Sequence, residues 1–128
     1  MNIVERLVQR IKSENTPATP ATVDSCKALA AEFPGLPTIY VDLISSVGSA
    51  DIGGLRLYDT LVDPDELYDD ETAMRLDGLL IFADDRQGTC YALDRHGSWR
   101  VVAIDGVSGN ADGVAPDLAS FLQARFGD

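Results

Sequence analysis

Asp84-Asp85 is the pair in this chain most open to a chemical reading. Two carboxylates at a strand end could hold a divalent cation, or work as general acid and base if set apart and desolvated. Neighbours on a strand point to opposite faces, so one shared site would need the turn to bend them together. Asp side chains also stabilise turns by accepting from nearby backbone N–H groups. Turn structure is therefore the first reading of this pair, contact with a partner the second, and metal binding or catalysis the third.

The other chemistry-bearing residues are few. His96 is the single histidine, so a His-based metal site or a Ser/Cys–His relay would have to run through it. It lies in Asp94-Arg95-His96-Gly97-Ser98, a string of turn composition, and reads as an exposed turn residue. Cys26 and Cys90 are too few for a disulfide framework, and neither has a CxxC partner. They read as small buried hydrophobes, with a reactive thiol or a bridge as the alternative. HExxH, GxSxG, GxGxxG and GxxxxGK are all missing. The loop Asp105–Gly113 fails as an EF-hand: with Gly113 at the sixth position, Ser108 falls first and Ala119 last, where acids are required. No metal or cofactor is expected.

Charge is the more telling feature. The stretch Asp59–Asp77 holds eight acids (Asp59, Asp63, Asp65, Glu66, Asp69, Asp70, Glu71 and Asp77) against one base, Arg75. Such a run is commonly just a solvated face. Here Leu61, Leu67, Tyr68 and Met74 interrupt it, a mixture suited to a binding patch. Apolar anchors supply desolvated contact while carboxylates steer a basic partner. The candidate partner-binding set is Asp59, Asp63, Asp65, Glu66, Tyr68, Asp69, Asp70 and Glu71, joined by Asp84, Asp85 and Arg86 of the following hairpin.

These residues need elements to position them. Leu79–Phe82 and Cys90–Leu93 flank a polar tip and predict a β-hairpin, with Gly88 able to take a positive φ. Upstream, Ile3, Val4, Leu7, Val8 and Ile11 form one stripe of an amphipathic helix. Pro17 and Pro20 break the chain over Ser13–Ala21, which reads as a loop. Thr22 resembles an N-cap for a second helix, with Val23, Cys26, Leu29, Ala30 and Phe33 on its apolar side. Pro37 suits the first turn of a third helix, whose face is Ile39, Tyr40, Leu43, Ile44 and Val47 and whose stop is Gly48.

Ser49–Gly54 reads as a loop, Leu55–Tyr58 as a strand, and Asp63–Tyr68 as a short helical turn. Trp99–Ile104 alternates as a strand: Trp99, Val101 and Ala103 face one way, Arg100, Val102 and Ile104 the other. Trp99 reads as a core residue at the sheet end. After the loop Asp105–Gly113, a last helix starts near Pro116, with Val114, Leu118, Phe121, Leu122 and Phe126 as its stripe. Helices, then strands, then a helix predict an α+β fold: one domain over residues 1–128, its antiparallel sheet packed with N-terminal helices and a C-terminal helix.

Composition sets the limits. The chain has 128 residues, 45% of them hydrophobic, and 21 acids against 10 bases give a formal net charge of −11. That length can bury a core without staples. That charge opposes direct binding to nucleic acid or an anionic membrane, both polyanions. No apolar run approaches the roughly 18–20 residues that span a bilayer. Charges interrupt the N-terminus too early for a secretory signal, so a cytoplasmic location is expected.

Several pieces also resemble, in order, the SMI1/KNR4 (SUKH) family. These are Leu36-Pro37-x-x-Tyr40 with its apolar helix and Gly48, Leu55-Arg56-Leu57-Tyr58, the acidic segment, and Asp77–Asp85. Gly88, Tyr91–Asp94, the Val101-Val102 strand and Phe121-Leu122 complete the set. The resemblance covers roughly Phe33 to Phe126. One departure lies at the hairpin tip, where an Asp-Gly-x-Gly-like pattern is replaced by Asp85-Arg86-Gln87-Gly88. The resemblance implies an α+β fold and no shared catalytic activity. Many bacterial members are immunity proteins that bind and neutralise polymorphic toxins, often nucleases; some eukaryotic members are regulatory adaptors. The expectation is a non-catalytic immunity protein for a cognate, basic toxin domain, with an adaptor scaffold as the alternative and a small enzyme a distant third.

Overall fold

The computed structural model describes residues 2–127. Helices α1 (Ile3–Glu14), α2 (Val23–Glu32) and α3 (Thr38–Ser46) precede most of the sheet, and α5 (Leu118–Phe126) follows it. The strands are β1 (Ala18–Thr19), β2 (Ser49–Ile52), β3 (Leu55–Val62), β4 (Leu79–Asp84), β5 (Thr89–Asp94), β6 (Arg100–Asp105) and β7 (Ala111–Ala115). They form one seven-stranded sheet in sequence order, and every neighbouring pair is antiparallel. Between β3 and β4 lie a 3-10 turn (Pro64–Glu66) and the short helix α4 (Asp70–Arg75). The fold is α+β.

Local chemistry explains the helix starts. Asn2, Thr22, Asp69 and Asp117 each have extended backbone and accept an N–H from three residues on, satisfying a donor the helix leaves unpaired. Pro37 sits one position earlier than expected, at the N-cap of α3. A proline offers no side-chain acceptor there, but its fixed φ still directs the chain into the helix. Gly48 ends α3 at φ +68, and a Cβ there would lie 2.1 Å from the Thr19 carbonyl oxygen. The glycine is what lets β1 pass over the end of the helix.

The sheet is covered on both faces. Helices α1, α2, α3 and α5 pack one face, around Leu7, Tyr40, Ile44, Leu55, Leu57, Phe82, Leu93, Val101 and Leu122. Phe121 of α5 meets Phe82 edge-on, with ring centroids 5.8 Å apart. The other face carries a second cluster of Leu76, Leu79, Ile81, Ala92, Val102 and Ile104, onto which Tyr58, Val62, Tyr68 and Cys90 pack. The segment between β3 and β4 caps that cluster. β4 is therefore buried along its whole length, the expected pattern for a central strand covered twice.

Four sequence expectations are corrected. Ser49–Gly54 is not a loop: Ser49–Ile52 is β2, which turns through Gly53-Gly54 into β3. Ala18–Thr19, inside the expected Ser13–Ala21 loop, pairs with β2. β1 has only two residues, and the alternation of Ser49-Ala50-Asp51-Ile52, with Ala50 and Ile52 buried, is only four residues long. The Asp105–Gly113 loop ends early, because Ala111–Ala115 is the edge strand β7, and Val114 lies exposed on it and not on the last helix. In α2, Val23 is 69% exposed and Ala30 is exposed, so Cys26 and Leu29 alone are buried.

Trp99 lies in the turn before β6, with φ +59, half-buried against the helix-side core. The alternation after it holds: Val101 belongs to the helix-side core, and Val102 and Ile104 to the second cluster.

Candidate functional site

The residues with chemical potential gather at the hairpin end of the second sheet face. A cross-strand row sets them there: Asp51 of β2 stands opposite Arg56 of β3, Arg56 opposite Asp84 of β4, and Asp84 opposite Cys90 of β5. Leu55 and Leu57 point to the helix-side core, so period-two alternation sends Arg56 and Tyr58 to the opposite face.

Asp84 reaches that face because β4 contains an irregularity. Ile81 pairs with Ala92 and Ala83 with Tyr91, so Phe82 is an extra residue on β4. Ile81 faces the second cluster, while Phe82 and Ala83 both face the helices. The parity is thereby reversed, and Asp84 falls opposite Cys90, over the second cluster. Without the bulge, strict alternation would drive this carboxylate into the helix-side core.

Asp84 is 6% exposed. Arg56 donates to its Oδ2 from Nε at 3.0 Å and from Nη2 at 2.6 Å. The Tyr58 hydroxyl donates to the same oxygen. The backbone N–H of Arg86 donates to Oδ1 at 2.9 Å. Burial alone would raise the pKa of this carboxyl, but the bonds from Tyr58, Arg56 and the Arg86 N–H, with the charge of Arg56, hold it below the usual carboxylate range. Burial, and then the bond to Asp84, pushes the Tyr58 hydroxyl up. Burial, and then the neighbouring Cys90, does the same to Tyr68. Cys90 is also raised by burial, away from the thiolate form that a nucleophile requires.

The hairpin tip is built by its own acids. Asp85 Oδ1 accepts from Gln87 N at 2.8 Å and from Thr89 N at 3.0 Å. Arg86 takes a left-handed backbone, φ +61, and its Nη2 reaches Asp51 at 2.5 Å, strapping the hairpin to β2. Asp84 and Asp85 thus shape the turn from opposite sides, as the first sequence reading had it. The structure does not bring them to one shared site.

Together Arg56, Tyr58, Leu67, Tyr68, Asp84, Arg86, Thr89 and Cys90 line a groove of about 320 Å³. That is at the lower end of the size range of ligand pockets.

The acidic segment forms its outer wall and divides into two groups. Asp63 and Glu66 make a capping box on the 3-10 turn, and Asp69 caps α4 through Thr72 N at 2.8 Å. The hydrogen bonds from Thr72 hold Asp69 below the usual range. Asp59, Asp65, Asp70, Glu71 and Asp77 are exposed, with no side-chain ion pair among the described residues. Of the apolar residues expected to serve as anchors, Leu61 packs on the helix-side core and Tyr68 on the second cluster. Leu67 and Met74 stay out, 50% and 78% exposed.

Arg56, Tyr58 and Cys90 did not stand out in the sequence as site residues. For Arg56 and Tyr58 the signal was the polar phase of β3, alternating with Leu55 and Leu57; Cys90 shares its phase with buried Ala92 and carried no such signal. His96 lies exposed in the turn after β5, its ring against Gly78. Among the described residues, no group of three or more His, Cys, Asp or Glu side chains could hold a metal ion. No described helix is long and apolar enough to cross a membrane.

No protein-family model, curated protein or solved structure matches the chain.

Proposed function

We propose that this chain is a non-catalytic binding protein of the SMI1/KNR4 (SUKH) type, an immunity protein that neutralises a basic toxin domain by stoichiometric contact. One observation carries the reading. The segment capping the second sheet face presents Asp65, Asp70 and Glu71 without an ion-pair partner among the described residues, beside exposed Leu67 and Met74. Carboxylates free of internal bonds can steer a cationic surface, and exposed apolar side chains beside them can be desolvated on contact. A toxin that grips phosphate must be basic where it does so, and an acidic inhibitor competes for that surface. The ordered resemblance from Leu36 to Phe121-Leu122 supports the same reading, with a cytoplasmic site of action.

Co-expression tests it. The toxin domain encoded beside this gene should kill cells alone and spare them when this chain is present, and the purified pair should form a one-to-one complex. Absence of rescue and of a complex would set the immunity reading aside. A complex with a non-toxic protein encoded there would favour the adaptor.

A further inference from the structure

The groove beside the acidic cap gathers two tyrosines and two arginines, the residue types that carry most binding energy at protein interfaces. Its wall also includes Leu67, half-exposed and carried by the same segment as Asp65, Asp70 and Glu71. Both guanidiniums are already held from behind, Arg56 by Asp84 and Arg86 by Asp51. Their charge is therefore largely compensated. What they offer to the groove is a flat planar fork, of the kind that lies over aromatic rings; the Arg56 Cζ already sits 5.9 Å from the Tyr58 ring centroid.

The surroundings point the same way. A bulge that re-aims a buried carboxylate and a non-glycine residue in left-handed conformation are devices that recur at ligand clamps. Here both fix the two arginines in place: Asp84 orients Arg56, and the strained Arg86 backbone closes on Asp84 Oδ1. The lining combines the Arg56–Asp84 pair with Leu67, Tyr68 and Cys90, and Leu67 lies on the segment that carries the exposed carboxylates Asp65, Asp70 and Glu71.

We propose that this groove receives an aromatic side chain flanked by Lys or Arg on a partner protein. The ring would stack between Tyr58, Tyr68 and the Arg56 fork, and the flanking cations would meet Asp65, Asp70 and Glu71. This deepens the binding reading above by naming the partner's anchor.

Three tripeptide amides separate the possibilities without a known partner: acetylated Lys-Trp-Lys, Lys-Ala-Lys and Glu-Trp-Glu, each titrated into the intact chain and followed by amide-shift NMR. The Lys-Trp-Lys peptide should shift the amides of Leu67, Tyr68, Thr89 and Cys90 saturably. The other two should bind about tenfold more weakly, since each lacks one half of the recognition. Leu67→Ala, at a half-exposed position, should weaken Lys-Trp-Lys several-fold with the fold intact by circular dichroism. Equal binding of Lys-Ala-Lys would show charge alone and overturn the anchor, as would shifts centred away from the groove. The outcome is separable from the toxin test: rescue without groove shifts sinks this inference and leaves the immunity reading, and groove shifts without rescue do the reverse.

Discussion

The Tyr58 hydroxyl and Asp84 Oδ2 are joined by a hydrogen bond across β3 and β4, on the sheet face away from the helix pack. Arg56 closes on the same oxygen from the neighbouring position of β3. A carboxylate at 6% exposure is tolerable only because its charge is matched and its lone pairs are used.

Asp84→Asn should therefore destabilise the protein. Removing the charge leaves Arg56 and Tyr58 facing a weaker acceptor. Arg56 is half-exposed, so solvent screens the pair and the loss should be about 1–2 kcal/mol, well short of a fully buried pair. Urea denaturation of Asp84→Asn, Arg56→Gln and the double variant would measure it. A coupling energy near zero would mean the pair is ornamental.

The same carboxylate sets an acid limb. Its folded pKa lies below its unfolded value, so its contribution to stability is fully present above the unfolded carboxylate range, about pH 4. That contribution drains away as the pH falls through the lowered folded value. Denaturation midpoints should drop below about pH 4 in the wild type, and Asp84→Asn should flatten that drop. An identical slope in both proteins would assign the acid sensitivity elsewhere, with the caps Asp69 and Asp117, both also lowered, as the next groups to test.

Tyr40 offers the opposite kind of change. Its ring is fully buried, and its hydroxyl has no hydrogen-bond partner among the described residues. Burial pushes that hydroxyl up, so it stays neutral. Leaving a buried polar group unpaired costs on the order of 1 kcal/mol or more. Tyr40→Phe should thus be neutral or stabilising by about 1 kcal/mol, read as a rise in Tm. Clear destabilisation would reveal a partner for this hydroxyl.

Two glycines separate backbone strain from steric clash. Gly54 has φ +81 with open space around it, and Gly48 has φ +68 with the Thr19 carbonyl where a Cβ would sit. Gly54→Ala should cost about 1–2 kcal/mol through the left-handed backbone alone. Gly48→Ala should cost considerably more and free β1, seen as faster amide exchange at Ala50, its pairing partner. Equal costs would deny the close approach.

The proposed role of the acidic segment can be tested by neutralising only its unpaired acids. Asp69 caps α4 and must stay, whereas Asp65, Asp70 and Glu71 carry no ion pair among the described residues. Converting those three to Asn, Asn and Gln should slow association with the proposed basic partner about tenfold and reduce its salt dependence, with little effect on dissociation. Unchanged kinetics would move the contact away from this surface.

Much of the architecture was legible because local signals are strong where apolar residues recur. The stripe of α1, the Thr22 cap, the Leu79–Phe82 and Cys90–Leu93 strands and the turn chemistry of Asp85 and Gly88 are all contained in short windows of sequence. So was the acidity of the segment before the hairpin. The short strands β1, β2 and β7 were not legible, since two to five residues give too short a pattern and their pairing depends on neighbouring strands. Nor could the sequence say which acids are spent on capping and which face outward, because that depends on where each helix starts. The deepest omission was the bulge at Phe82. A single extra residue reverses which face Asp84 joins, and pairing between strands far apart in the chain decides it. Sequence alone determined an acidic α+β domain with a central hairpin; tertiary pairing decided that Arg56, Tyr58 and Asp84 meet beneath it.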